Sequence, residues 1–147
     1  MSHRAKIVNA LVSAFNSNLN GATYRTNVYN KAENKLKFWD EVNQYPYLSV
    51  TAGQEYREYL PANQKWGFLI VTIRIYVRPT IGKAQDHLEQ ALEDIESLLD
   101  ANNNIIYDTT SPQKETEEIS ILSITTDEGL LDPLGVGEIQ IQIRYDL

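Results

Sequence analysis

The last ten residues, EIQIQIRYDL, alternate without a fault. Ile139, Ile141, Ile143, Tyr145 and Leu147 point one way, and Glu138, Gln140, Gln142, Arg144 and Asp146 point the other. That period of two predicts a strand with one face on a core and one toward water or a partner, the usual pattern of an antiparallel sheet. A second segment, WGFLIVTIRIYVR at 66–78, repeats the arrangement and ends at Pro79 and Gly82. It puts Leu69, Val71, Ile73, Ile75 and Val77 on one face and Thr72, Arg74 and Tyr76 on the other. Two strands so one-sided need a second layer to cover them.

Helices supply that layer. In 3–19, Ile7, Val8, Leu11, Val12, Phe15 and Leu19 fall at helical spacing, with Ser2 as N-cap and an Asn/Gly run ending at Gly21 as the stop. In 84–99, Ala84, Leu88, Ala91, Leu92, Ile95, Leu98 and Leu99 make one apolar stripe, with Asp86, Glu89, Glu93, Asp94 and Glu96 on the other faces. Further strands are expected at 23–29, 45–50, 54–60, 105–107 and 119–125. In the last of these, Ile119 and Ile121 lie out of phase with Leu122 and Ile124, which predicts a bulge or a strand buried on both sides. Phe38 and Trp39 are expected to anchor the irregular stretch between. The whole, 1–147, reads as a single α+β domain, with two α-helices flanking a mainly antiparallel β-sheet.

Charge is divided along the chain. Residues 1–83 hold 11 Lys/Arg against 5 Asp/Glu, and residues 84–147 hold 2 against 15. A net charge of −7 argues against a general nucleic-acid binder. The division suits either plain solubility or head-to-tail association of copies, a contact that closes into a ring when the rotation permits. There is no cysteine, so disulfides and thiolate metal sites are excluded. No apolar run approaches a membrane span, and Asn9 and Ser13 break what could pass for a signal peptide. The expectation is a soluble intracellular protein.

Catalytic inventory is thin. His3 and His87 are separate surface positions, no Ser sits on a nucleophile elbow, and Gly135-Val136-Gly137 precedes a strand where a phosphate loop would follow one. Asp127, Glu128 and Asp132 could hold a hard cation, yet lack the spacing of a calcium loop. What remains is TTDEGLLDPLG at 125–135, where Leu130 and Leu131 hang between acids in a breaker-rich loop. The reading is an oligomer anchor, with Asp127, Glu128 and Asp132 as polar rim and Leu134 beside it. Tyr56, Arg57 and Tyr59, with Glu58 among them, read as a second contact edge.

Several stretches together resemble the tail terminator proteins of long, flexible-tailed bacteriophages. They are HRAKIVNALV, FWDEVNQYPYLSVTAGQE, YLPANQKWGFLIVTIRIYV, LEQALEDIESLLD and SITTDEGLLDPLGVGEIQIQIRYDL, in the family's order and over most of the chain. The pairing of YLP-x-x-Q-x-W with TDEGLL-x-P-x-G is the specific part. The resemblance implies a structural virion protein with no catalytic residues, cofactor or metal. It further implies a homo-oligomer, a hexameric ring assembled in the host cytoplasm. Such a ring caps the head-proximal end of the tail tube, stops tube polymerisation and meets the head–tail connector or neck protein. DNA passes through without sequence-specific binding, and Glu89, Glu93, Asp94 and Glu96 are candidates for an acidic lumen or exposed face, since basic walls would bind the phosphates. Two alternatives stand beside it: a neck or tail-completion ring that joins head to tail without setting length, and a small-ligand-binding regulatory α+β domain, which would show an enclosed pocket.

Overall fold

A computed structural model describes residues 2–110 and 112–147, with the side chain of Trp39 outside the description. The first helix, α1 (His3–Asn18), starts where expected: the Ser2 hydroxyl accepts a hydrogen bond from the Ala5 amide at 3.2 Å, which satisfies one of the free N–H groups of the first turn. It buries Ile7, Val8, Leu11 and Phe15. The second helix, α2 (Ala84–Ala101), buries all seven residues of its apolar stripe.

Among the described residues seven strands follow in chain order, β1 (Ala32–Glu33), β2 (Tyr47–Leu60), β3 (Gln64–Val77), β4 (Ile106–Asp108), β5 (Lys114–Glu115), β6 (Glu118–Thr126) and β7 (Gly135–Asp146). Five make one sheet in the order β1-β2-β3-β7-β6, with β4 and β5 forming a separate small hairpin. Only β1 runs parallel to its neighbour; the other pairings are antiparallel. The β2–β3 hairpin turns through Pro61–Asn63, where Ala62 and Asn63 take positive φ. The apolar residues of β3 and β7 meet in register, Leu69 with Ile143, Val71 with Ile141 and Ile73 with Ile139. The helix α2 packs over β3 and β7 and α1 over β2 and β4, and the buried residues of helices and sheet form one core between the two layers.

Close approach of α2 to the sheet explains the Gly135-Val136-Gly137 stretch, which begins β7. A Cβ on Gly137 would stand 3.0 Å from Leu88 and 3.1 Å from Ile75, so a side chain there would push the helix off its strand.

Three expectations are corrected. Residues 23–29 do not form a strand: Asn20 accepts hydrogen bonds from the amides of Ala22 and Thr23, and Asn27 from that of Tyr29, so side chains replace a ladder. The separate strands 45–50 and 54–60 are one strand, β2, whose register shifts between Ala52 and Glu55. A bulge absorbs the Gly53 interruption that sequence suggested was a break. Phe38 is no anchor, being 67 % exposed; Trp39, its expected companion, lies outside the described side chains. The phase change in β6 is a bulge between Ile121 and Ser123.

Candidate assembly surfaces

The loop that joins β6 to β7 is braced by its own backbone. The amides of Leu130, Asp132 and Leu134 donate to the carbonyls of Asp127, Gly129 and Leu131 at 3.0, 3.2 and 2.8 Å. Asp127 accepts a further bond from the Leu131 amide at 3.1 Å. Asp132 accepts from the Ala84 amide at 3.2 Å, so the loop caps α2 and places a negative charge at the helix's positive end. Gly129, at φ +83°, makes the turn that lifts Leu130 out.

The leucines of this loop divide the work. Leu134 is buried, Leu131 half-buried, and Leu130 is 85 % exposed. Leu131, Pro133 and Leu134 line a shallow apolar cavity of about 190 Å³ with Tyr45 and Arg78. Leu134, expected at an interface, instead closes the fold beneath the loop. Ile81, 82 % exposed, lies in the segment leading into α2, so the two barest aliphatic side chains share one end of the sheet.

A different surface lies along the sheet edges. β1 covers only Leu48 and Ser49 of β2, so β2 from Thr51 to Leu60 pairs with β3 alone. Tyr56 and Tyr59, 53 % and 67 % exposed, stand on this free edge with Arg57, which is held by Glu55 at 3.2 Å. The expected contact residues of β2 are therefore brought together on one edge, while those of the β6–β7 loop sit apart at the end of the sheet. Glu55 also accepts a hydrogen bond from the Tyr145 hydroxyl, and burial followed by this carboxylate pushes the Tyr145 pKa up. At the opposite edge β6 pairs with β7 alone and leaves Leu122 and Ile124 roughly half exposed. Sequence reasoning missed these two as surface residues; the phase slip in ISILSIT was the available signal.

The sheet face away from the helices is lightly covered. At one end the segment 35–42 crosses it, where the carbonyls of Lys35 and Lys37 accept from the hydroxyls of Ser49 and Tyr76 at 2.7 Å each. Burial there raises the pKa of Tyr76, and burial with nearby Glu33 that of Tyr47. Elsewhere the face carries Thr72, Gln140 and Gln142, with cross-strand ion pairs of Arg74 to Glu138 at 3.9 Å and Arg144 to Glu118 at 3.7 Å. The Arg144 guanidinium also lies over the Trp66 ring, 4.5 Å from its centre.

The acidic face of α2 needs one correction. Glu89 and Glu93 are exposed and Glu96 partly so, but Asp94 is buried. Its carboxylate accepts from the Thr26 amide at 2.9 Å and the Thr26 hydroxyl at 2.6 Å, and Arg25 lies 3.4 Å away. Three donors stand in for water around this buried carboxylate. Asp94 thus ties the irregular 20–31 segment to α2 and faces neither a lumen nor bulk solvent.

Among the described residues no group of three or more His, Asp or Glu could hold a metal ion, and no helix is long and apolar enough to cross a membrane. A two-layer subunit with bare sheet edges and a braced apolar loop presents surfaces of the kind that assembly proteins use. A family model described as Bacteriophage Tail Tube Terminator Protein matches residues 1–147, and the chain belongs to that family. It is 32% identical over 153 residues to tail tube terminator protein p142 of Escherichia phage T5, across 99% of this chain and 94% of that one. Its fold is similar to that of a chain in the virion of a native gene transfer agent particle, with TM-score 0.51 over 82% of this chain and 81% of the other at 8% identity. The protein is a structural component of a phage tail.

Proposed function

We propose that this chain assembles as a closed ring of six copies on the head-proximal end of the tail tube. There it stops addition of tube protein and offers its other face to the head–tail connector. Termination in this reading is a binding competition without bond-breaking chemistry. The ring occupies the growing end and fails to present the surface that the next layer of tube needs. Several simultaneous contacts to a tube end give an avidity that one subunit lacks. DNA passes through the bore, and the site of action is the virion after assembly in the host cytoplasm.

The observation that carries the tube-contact part is the β6–β7 loop. Leu130 stands bare on a loop held by five hydrogen bonds of its own and of the α2 start, counted from Leu130, Asp132, Leu134, Leu131 and Ala84. A preorganised loop presents an apolar anchor with little ordering cost on binding. With Ile81 nearby and the acids Asp127, Glu128 and Asp132 around it, this end of the sheet fits an apolar socket with a basic or polar rim.

Replacing Leu130→Ser and Leu131→Ser together tests it. The variant should keep its circular dichroism spectrum and lose capping in a tube-polymerisation assay followed by electron microscopy. Unaltered capping removes the loop from the contact. A phage lacking the protein should give overlong tubes; tails of normal length lying free of heads would instead assign the chain to joining without length control.

A further inference from the structure

The sheet has two unpaired edges of similar length, Thr51–Leu60 of β2 and Glu118–Thr126 of β6. Long edges with exposed apolar side chains are templates for another strand, and proteins that stay monomeric blunt them with charged residues, Pro, bulges or a covering element. Neither edge has Lys or Pro within those spans; their charges are Glu55, Arg57 and Glu58 on one and Glu118 on the other, and they carry Tyr56 and Tyr59 on one side and Leu122 and Ile124 on the other. We infer that β6 of one copy pairs with the free part of β2 of the next, so that the ring is closed by a continuous β-sheet whose helix-free face lines the bore. This rests on the ring reading above and adds the contact and its sidedness.

Three features of the fold converge on it. First, β2, β3, β7 and β6 alternate in direction, and four is an even number. A rotation about an axis along the strands keeps every β2 pointing the same way, so β6 meets the neighbouring β2 antiparallel and the ladder pattern continues unbroken across the junction. An odd number of strands would have forced a parallel seam. Second, each edge strand has one bulge, at Ala52–Glu55 and at Ile121–Ser123. Bulges bend strands and are the devices by which sheets curve toward closure. Third, both helices and the core lie on one side, whereas only the segment 35–42 lies over one end of the other. In a closed ring the bulkier layer takes the longer outer circumference, which turns the bare face inward.

Six copies of four strands would make roughly 24 strands, a backbone circle about 37 Å across at a spacing of about 4.8 Å, larger if the strands tilt. Barrels of fewer strands already leave an aqueous channel. The strand residues facing DNA would then be Phe68, Ile70, Thr72, Gln140 and Gln142, with Arg74 and Arg144 beside Glu138 and Glu118. Strands of that kind offer phosphates no cation that lacks a carboxylate beside it, which limits counterion release there. Glu89, Glu93 and Glu96 face outward in this arrangement, which takes the exposed-face reading of these acids over the lumen one.

The chain has no cysteine, so engineered pairs report cleanly. Variants combining Tyr56→Cys or Glu58→Cys with Ser120→Cys, Ser123→Cys or Thr125→Cys would complement a phage lacking the protein, and a short bismaleimide would be applied to purified tails. A Thr72→Cys/Gln140→Cys pair, opposite one another on neighbouring strands of one copy, serves as the reaction control. The expected result is a ladder of cross-linked multimers ending at the full ring. A ring visible at the tube end, a control pair that reacts and no ladder from any combination would overturn the edge contact while leaving the ring intact. Tail ends carrying a single copy by quantitative mass spectrometry would overturn the ring and the contact with it.

Discussion

Replacing Asp94→Ala should destabilise the fold far more than replacing its neighbour Glu93→Ala, although sequence places both on the acidic face of one helix. In the native protein Thr26 is buried, and both its amide and its hydroxyl donate to Asp94 at 2.9 and 2.6 Å. Truncation leaves two buried donors without a partner, each costing about 1–3 kcal/mol. The Arg25 link adds little, since its guanidinium is largely exposed and solvent screens it. A loss of about 2–5 kcal/mol follows, offset slightly because the carboxylate no longer needs desolvating. For a chain of this size that is a fall in Tm of about 5–15 °C. Glu93 is exposed and meets only Arg25, at 3.8 Å, so its removal should cost less than about 1 kcal/mol. Urea titration of both variants measures the difference, and adding Thr26→Val and Asp94→Ala/Thr26→Val completes a double-mutant cycle. Val keeps the shape of Thr and removes the hydroxyl, so the cycle isolates the 2.6 Å bond. Equal midpoints for the Asp94 and Glu93 variants would refute the account, because they would show that this carboxylate is as free as its neighbours.

Gly137→Ala should lower stability by about 1–3 kcal/mol, read as a shift in denaturation midpoint, because the new methyl meets Leu88, Ile75 and Leu92 at 3.0–3.2 Å in a packed layer. Tyrosines with a raised pKa contribute stability that is whole below the ordinary tyrosine value near 10 and fades as pH rises above it, since the folded state then holds protons the unfolded state has lost. Melting curves from pH 8 to 11 should therefore decline beyond pH 10, and Tyr145→Phe, which has no proton to hold, should decline less steeply.

Sequence carried the framework because its signals there are geometric. An error-free alternation at 138–147 and a seven-residue stripe at 84–99 each admit one way of hiding the apolar side chains, and the structure hides them that way except for Leu147, which is 40 % exposed past the strand end. Where polar groups decide, the linear pattern misleads. Thr23 to Tyr29 has strand-forming residues, yet Asn20 and Asn27 supply side-chain acceptors at the spacing of turns, and Asp94, 68 residues away from Thr26, fixes the middle. No local pattern could report that partner. Phe38 looked like an anchor by hydrophobicity, but the segment it occupies is fastened by backbone carbonyls of Lys35 and Lys37, which are invisible in side-chain composition. Of the residues proposed for assembly, Leu130 could be singled out from sequence as an apolar side chain in a breaker-rich loop, and the structure leaves it exposed. Leu122 and Ile124 were not, since their exposure follows from lying on the last strand of a sheet, a matter of strand order.

The division of charge along the chain has a different meaning once folded. Cations of the first half reach acids of the second: Lys6 meets Asp108 at 3.0 Å, Arg25 meets Glu93 and Asp94, and Arg74 meets Glu138. Asp108 is so well served, by Thr110 and then Lys6, that its carboxyl is held well below the usual carboxylate range. Among the described residues three of the eleven first-half cations, Lys6, Arg25 and Arg74, are spent on second-half acids inside each copy. What is left unneutralised is mostly acid, with Asp86, Glu89 and Asp100 exposed along α2. In the ring proposed above the sheet edges would add a contact that these charges do not supply, because backbone hydrogen bonds and the side chains of Tyr56, Leu122 and Ile124 stand unused in a single copy.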